Sequence, residues 1–211
     1  CLSRGLGDVY KRQLNDNQRA AVECLDGPLL IVAGAGSGKT KVLTSRIAHI
    51  IKKNKAFPNQ ILAVTFTNKA AKEMQLRVSK LLRKDATGLP WLGTFHSISA
   101  KLLRKHADAV DLKSNFSIID QDDQVRLIKN ICKAENVDIK KISPKFILAI
   151  IDKWKNKGFY PQDVILKRKD PLEKNFLSIY KIYQEKLVNL NSADFSDLIL
   201  HTLKIFEKYT D

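Results

Sequence analysis

Ala33-Gly34-Ala35-Gly36-Ser37-Gly38-Lys39-Thr40 follows directly on the apolar run Pro28 to Val32, and the reading of this junction decides the fold. A glycine-rich turn between a strand and a helix points successive backbone N–H groups inward, here those of Ala35 to Gly38, where they cradle phosphate oxygens at the positive helix end. Lys39 then reaches the β and γ phosphates of a nucleoside triphosphate, and the Thr40 hydroxyl ligates Mg²⁺. The spelling departs from G-x-x-x-x-G-K-[ST] at its first position, where Ala33 replaces glycine. The phosphate-facing glycines Gly36 and Gly38 are kept, so the run reads as a P-loop.

Working outward, Asn15 or Asp16 caps a short helix through Ala20, Ala21 and Val22, and Leu29 to Val32 read as a buried strand. After the loop, Val42, Ile47, Ile50 and Ile51 give a helix its apolar face. A second unit repeats the order: Ile61 to Val64 form a short strand after the Pro58-Asn59 turn, and a helix from about Asn68 carries Ala70, Ala71, Met74, Val78, Leu81 and Leu82. A third strand, Trp91 to Phe95, leads into a helix bearing Ile98, Leu102 and Leu103. Strands alternating with helices predict the α/β class, a parallel sheet covered on both faces.

Beyond residue 110 the pattern turns to nearly continuous helix. Asp120 caps one helix (Val125, Ile128, Ile131, Cys132). Ser143-Pro144 opens another (Ile147, Ile150, Ile151, Trp154), ended by Gly158, and Pro171 opens a third (Phe176, Ile179, Tyr180, Tyr183, Leu187). These aromatic stripes are expected to be core. Residues 1–12 show no convincing periodicity and carry no functional expectation. Residues 13–110 read as the first part of an α/β nucleotide-binding domain, 111–190 as a helical insertion, and 191–211 as a return toward that domain.

The net charge of +15 is unevenly spread: residues 1–110 hold 19 basic and 7 acidic side chains, residues 111–211 hold 18 and 15. A basic excess beside a nucleotide site favours a polyanionic partner, nucleic acid above all. The three cysteines, Cys1, Cys24 and Cys132, have neither paired nor metal-ligand spacing, so reduced thiols are expected. No apolar run approaches a membrane span and no leader resembles a signal peptide, which makes the cytoplasm the expected compartment.

Other motifs narrow the P-loop reading. Gln18, in Leu14-Asn15-Asp16-Asn17-Gln18, lies just upstream of the phosphate strand, where an amide's paired donor and acceptor suit an adenine edge. Thr65-Phe66-Thr67-Asn68 stands at the carboxyl end of the second strand, the edge at which α/β sheets bind ligands. There Phe66 can stack on an unpaired base while Thr65, Thr67 and Asn68 reach phosphates. Thr94-Phe95-His96-Ser97 repeats the arrangement after the third strand, with Thr94 and His96 as further candidates. Phe116-Ser117-Ile118-Ile119-Asp120 has the apolar-then-Asp form of a Mg²⁺-binding strand end, but no Glu follows, and Asp120 reads as a helix cap.

Together the Gln18 segment, Gly36 to Thr40, Thr65 to Met74, Gly93 to Ser97, and Ala193-Asp194-Phe195-Ser196-Asp197-Leu198 resemble, in order, the amino-terminal part of a UvrD/Rep/PcrA-type superfamily 1 DNA helicase. The resemblance implies a RecA-like domain with an inserted helical subdomain at 111–190. It further implies that Gln18 recognises adenine, that Lys39 and Thr40 hold ATP and Mg²⁺, and that the Phe66 and His96 motifs line a single-stranded DNA track used in 3′–5′ unwinding during repair or replication. Members often carry arginine just after the P-loop threonine; here Lys41 is the candidate base contact, keeping the charge without the planar stack. In those helicases an Asp-Glu pair that drives hydrolysis follows the Asp194 to Leu198 segment, so the 211 residues are expected to bind ATP and DNA without hydrolysing ATP at a useful rate. The alternatives are the helicase part of a RecB/AddA-type recombination nuclease, a non-motor P-loop kinase, and a DNA-binding module without enzymatic activity.

Overall fold

The structure is a computed structural model, and it describes residues 14–82, 88–139, 141–166 and 171–209; residues 1–12 lie outside them. The chain divides into two compact units, Cys1–Ile98 and Ser99–Asp211.

The first unit begins with α1 (Asp16–Glu23). Its N-cap is Asn15, in a reciprocal capping box: Asn15 Oδ1 accepts from the Gln18 amide at 2.8 Å, and Gln18 Oε1 accepts from the Asn15 amide at 3.1 Å. The phosphate-loop run leads into α2 (Lys39–Lys52). A parallel βαβ unit follows, β1 (Ala63–Thr65), α3 (Asn68–Leu82) and β2 (Leu92–Thr94), in the register Ala63↔Leu92, Val64↔Gly93, Thr65↔Thr94. A parallel pair needs a crossover of this kind, and α3 supplies it. Ile47, Ala63, Met74, Val78 and Leu89 close the core between helices and strands, while Leu14, Val22 and Val42 join α1 to α2.

One expected element is corrected. Leu29 to Val32 do not form a buried strand: Leu30 and Val32 are each 86% exposed, and among the described residues β1 and β2 pair only with each other. An apolar run becomes a strand only with a hydrogen-bonded neighbour along its edge, and no described strand lies there. Only Ile31 packs inward, against the Leu14–Val22–Val42 cluster. The second and third strands start one or two residues later than the apolar pattern suggests, because the ladder opens at Ala63 and Leu92.

α4 (Phe95–Lys105) runs across the boundary between the units. In the second unit, β3 (Ser117–Ile118) and β4 (Ser192–Ala193) pair in parallel, and between them lie α5 (Gln121–Ala134), α6 (Pro144–Lys155) and α7 (Pro171–Asn189); α8 (Phe195–Lys208) closes the described chain. The expected starts hold locally: Asp120 Oδ1 accepts from the Asp123 amide at 2.9 Å, and Ser143 Oγ from the Phe146 amide at 3.2 Å, with Pro144 at the first helical position. The apolar stripes form one core of Ile128, Ile131, Cys132, Ile147, Leu148, Ile151, Phe176, Ile179, Tyr180, Tyr183 and Leu187.

Beside that core sits a buried ionic cluster. Lys155 Nζ, fully buried, donates to Asp194 Oδ2 and Asp197 Oδ1, both at 2.7 Å. Tyr183 OH donates to Asp194 Oδ2 at 2.9 Å and Gln184 Nε2 to Asp197 Oδ1 at 3.1 Å. Asp194 and Asp197 also form the capping box of α8. Burial opposes the ammonium charge of Lys155, but Asp197 and Asp194 outweigh it and hold the lysine pKa above its ordinary value. Burial and the neighbouring Asp197 raise Asp194, whereas for Asp197 the pull of Lys155 and His201 overcomes burial and keeps the carboxyl low. No described helix is long and apolar enough to cross a membrane.

Candidate functional site

The phosphate loop lies open on the surface of the first unit. Gly36 and Gly38 adopt φ of 75° and 85°, the left-handed region that side-chain-bearing residues rarely occupy. The turn is closed by Ser37, whose hydroxyl donates to the Gly34 carbonyl at 2.7 Å. Gly38 is the N-cap of α2, so the first turn of the helix, Lys39 and Thr40 included, begins at the loop with its N-terminal amides directed that way. No heavy atom lies within 4 Å of where a Cβ on Gly34 or Gly36 would stand, so the mouth of the loop is open. Lys39 Nζ folds over it, donating to the Ala33 carbonyl and, at 2.7 Å, to the Gly34 carbonyl. A run of loop amides, a helix N-terminus and an ammonium are donors of the kind that bind phosphate.

Gln18 is brought to the same place. Its Nε2 donates to the Ser37 carbonyl at 3.0 Å, and a Cβ on Gly38 would stand 3.2 Å from that nitrogen. Glycine at position 38 therefore meets two demands, positive φ and close approach of Gln18. A glutamine amide has two N–H donors and two carbonyl lone pairs. The capping box and Ser37 use one of each, which leaves one donor and one acceptor available at the loop.

The second set of candidates gathers at the carboxyl ends of β1 and β2. Thr65 Oγ1 donates to the Thr67 carbonyl at 3.0 Å, and Thr67 Oγ1 accepts from the Ala70 amide at 3.2 Å, capping α3 just before Asn68. Thr94 Oγ1 accepts from the Ser97 amide at 3.2 Å, while Ser97 Oγ accepts from the Thr94 amide at 2.9 Å; His96 follows on the exposed first turn of α4. Because Thr65 and Thr94 are register partners, Phe66 and Phe95 occupy equivalent positions one residue on. Their rings stand 5.6 Å apart at 45°, and Phe66 is 91% exposed. A core role for Phe66 is thereby excluded. Phe95 was not among the expected contacts; the Thr-Phe dipeptide repeated at both strand ends was the signal for it. Arg46, which bonds to α1, was missed as well, because a lone arginine on an amphipathic helix carries no sequence signature.

Residues 14–211 match the family model described as UvrD/REP helicase N-terminal domain. The chain is 43% identical over 197 residues to "ATP-dependent DNA helicase PcrA" of Staphylococcus epidermidis, covering 93% of this chain and 27% of that protein. To "Probable DNA helicase II homolog" of Rickettsia conorii it is 47% identical over 201 residues, covering 94% and 30%. The protein of the same name in Mycoplasma capricolum subsp. capricolum is 45% identical over 199 residues, covering 92% and 27%. The chain thus spans under a third of the length of these relatives. A match of this extent, with phosphate loop, Gln18 and paired strand ends in one unit, shows that the chain belongs to the UvrD/REP helicase N-terminal domain family.

Proposed function

We propose that the chain is the ATP-binding part of an ATP-dependent 3′–5′ DNA helicase working on cytoplasmic DNA in repair or replication. The observation that carries this reading is the exposed Phe66–Phe95 pair in the same unit as an open phosphate loop. An aromatic ring 91% in water is unfavourable unless something covers it, and unpaired bases offer flat faces that do so without regard to sequence. Thr65, Thr67, Asn68, Thr94 and His96 flank the rings as phosphate and sugar contacts of a single strand, including the strand at a duplex junction.

At the other site, the amides of Ala35 to Gly38 and the Lys39 ammonium hold the triphosphate, and Thr40 offers its hydroxyl to Mg²⁺. The spare donor and acceptor of Gln18 match the N7 acceptor and N6 donor of adenine, and Lys41 adds positive charge at the base. The metal, when bound, neutralises charge between the β and γ phosphates. The protein residues position those groups, with 111–190 acting as the helical insertion of a RecA-like domain. That the relatives carry names for ATP-dependent DNA helicases supports this reading.

The test is equilibrium binding by the 211-residue chain. ATP with Mg²⁺ is expected to bind, and Lys39→Ala to weaken it at least tenfold while leaving the affinity for a single-stranded oligonucleotide within twofold. Equal binding of ATP by wild type and Lys39→Ala would refute the nucleotide assignment.

A further inference from the structure

Arg46 stands on α2, seven residues past Lys39, which is two turns and about 10 Å along the helix axis. Its guanidinium NH1 reaches out of α2 to donate to the carbonyls of Ala21, at 2.7 Å, and of Cys24. These are terminal carbonyls of α1, the end where a helix carries partial negative charge and lacks internal partners. At the opposite end of α1, Gln18 bonds to Ser37 on the phosphate loop. From Gln18 to Cys24 is six residues, about 9 Å. α1 is therefore held to the loop-and-α2 segment by two polar rungs, Gln18 to Ser37 and Arg46 to the Ala21 and Cys24 carbonyls, with Val22 and Val42 packed in one apolar cluster beside them.

From this ladder we infer that Arg46 is a positioning residue for base recognition: it fixes the tilt of α1 and so the direction in which the spare donor and acceptor of Gln18 face. The inference rests on the reading that Gln18 meets adenine. The hydrogen bonds of Arg46 go to the Ala21 and Cys24 carbonyls of α1 and not to the loop amides or Lys39, so its loss leaves the phosphate donors themselves in place. Removing the guanidinium takes away the rung at the carboxyl end of α1 and leaves the Gln18–Ser37 bond and the Leu14–Val22–Val42 cluster, about which α1 can pivot. Adenine recognition then falls while phosphate binding persists. A lysine at 46 keeps the charge at the end of α1 but has no fork with which to bridge two carbonyls, and restores part of the effect.

The experiment compares affinities for Mg–ATP and for Mg–tripolyphosphate, which lacks base and sugar, in wild type, Arg46→Ala and Arg46→Lys, with far-UV circular dichroism as a check on folding. Wild type is expected to prefer ATP. Arg46→Ala is expected to lower the ratio of ATP to tripolyphosphate affinity at least fivefold with tripolyphosphate binding within twofold of wild type, and Arg46→Lys is expected to fall between. An unchanged ratio in Arg46→Ala, or an equal loss of both ligands in a folded variant, overturns the proposal. If Arg46→Ala does not fold, the ratio in Arg46→Lys decides: lowered supports the proposal, unchanged overturns it. A wild type that binds ATP no better than tripolyphosphate, or neither of them, would instead defeat the underlying reading of Gln18 or of the loop.

Discussion

Lys155→Met is expected to destabilise the second unit strongly, because it removes the buried cation that two buried carboxylates share. Methionine keeps the length and the apolar stem of lysine, so little packing is lost and the change isolates the ammonium. That group lies 2.7 Å from a carboxylate oxygen of both Asp194 and Asp197, whose side chains are 1% and 0% exposed. Without it, two buried negative charges face each other across the α8 capping box, with Tyr183, Gln184 and backbone amides as their remaining donors. Breaking a buried pair on one side costs about 3–5 kcal/mol, and the second orphaned carboxylate places this case toward the upper end. By contrast the half-exposed Arg77–Glu73 pair on α3 contributes about 0.5 kcal/mol. Trp154 stacks on Tyr180 within this core, so its fluorescence in a Trp91→Phe background reports the unit's unfolding in urea. At slopes of about 1–3 kcal/mol/M the midpoint falls by more than about 1 M. The loss also carries a pH signature. With Lys155 gone, Asp194 moves further above its ordinary pKa, and a raised carboxyl makes the folded state relatively more stable as pH falls through it. The deficit is therefore smaller at pH 5 than at pH 8. A deficit under about 1 kcal/mol, or one that grows on acidification, would refute the claim that Lys155 neutralises two buried carboxylates.

His201 gives a second pH effect. Burial lowers its pKa below 6.5 against the pull of Asp197; its Nδ1 lies 2.5 Å from Tyr160 OH, and its Nε2 lies 4.0 Å from Asp197 Oδ1. A lowered histidine contributes stability that is present above its unfolded value and lost as pH falls through the folded one. Wild-type urea midpoints should thus decline from pH 7.5 to 5.5, and His201→Gln should flatten that decline; an identical slope in the variant would count against it. Gly38→Ala must place a side chain at φ 85° and 3.2 Å from Gln18 Nε2, costing about 1–2 kcal/mol and loosening ATP binding, both measurable by thermal shift with and without nucleotide. Unchanged melting without nucleotide would show that the loop relaxes around the methyl group.

Helix stripes and caps were legible because they are local. Asn15, Asp120 and Ser143 cap where their side-chain chemistry predicts, and the stripe Ile179, Tyr180, Tyr183, Leu187 is buried as its spacing requires. Leu29 to Val32 misled because an apolar run states a demand for neighbours without saying whether they are met. The Lys155 cluster was hidden for the opposite reason: lysine near a helix end reads as solvated, although Ile147, Ile151 and Lys155 follow one another at four-residue spacing on a single buried face. In the candidate site, the glycine and strand-end motifs were legible because each is a short fixed string. The Phe66–Phe95 contact and the Arg46 bridge depend on register and on helix placement, which no single segment encodes.

The most direct test of the account is a fluorescence anisotropy titration of a labelled oligo-dT strand, at fixed salt, with wild type and with Phe66→Ala. If Phe66 stacks on a base, its removal costs about 1–3 kcal/mol, roughly 5- to 150-fold in affinity, while the salt dependence set by the phosphate contacts stays the same. Affinity for the strand unchanged by Phe66→Ala would contradict the account.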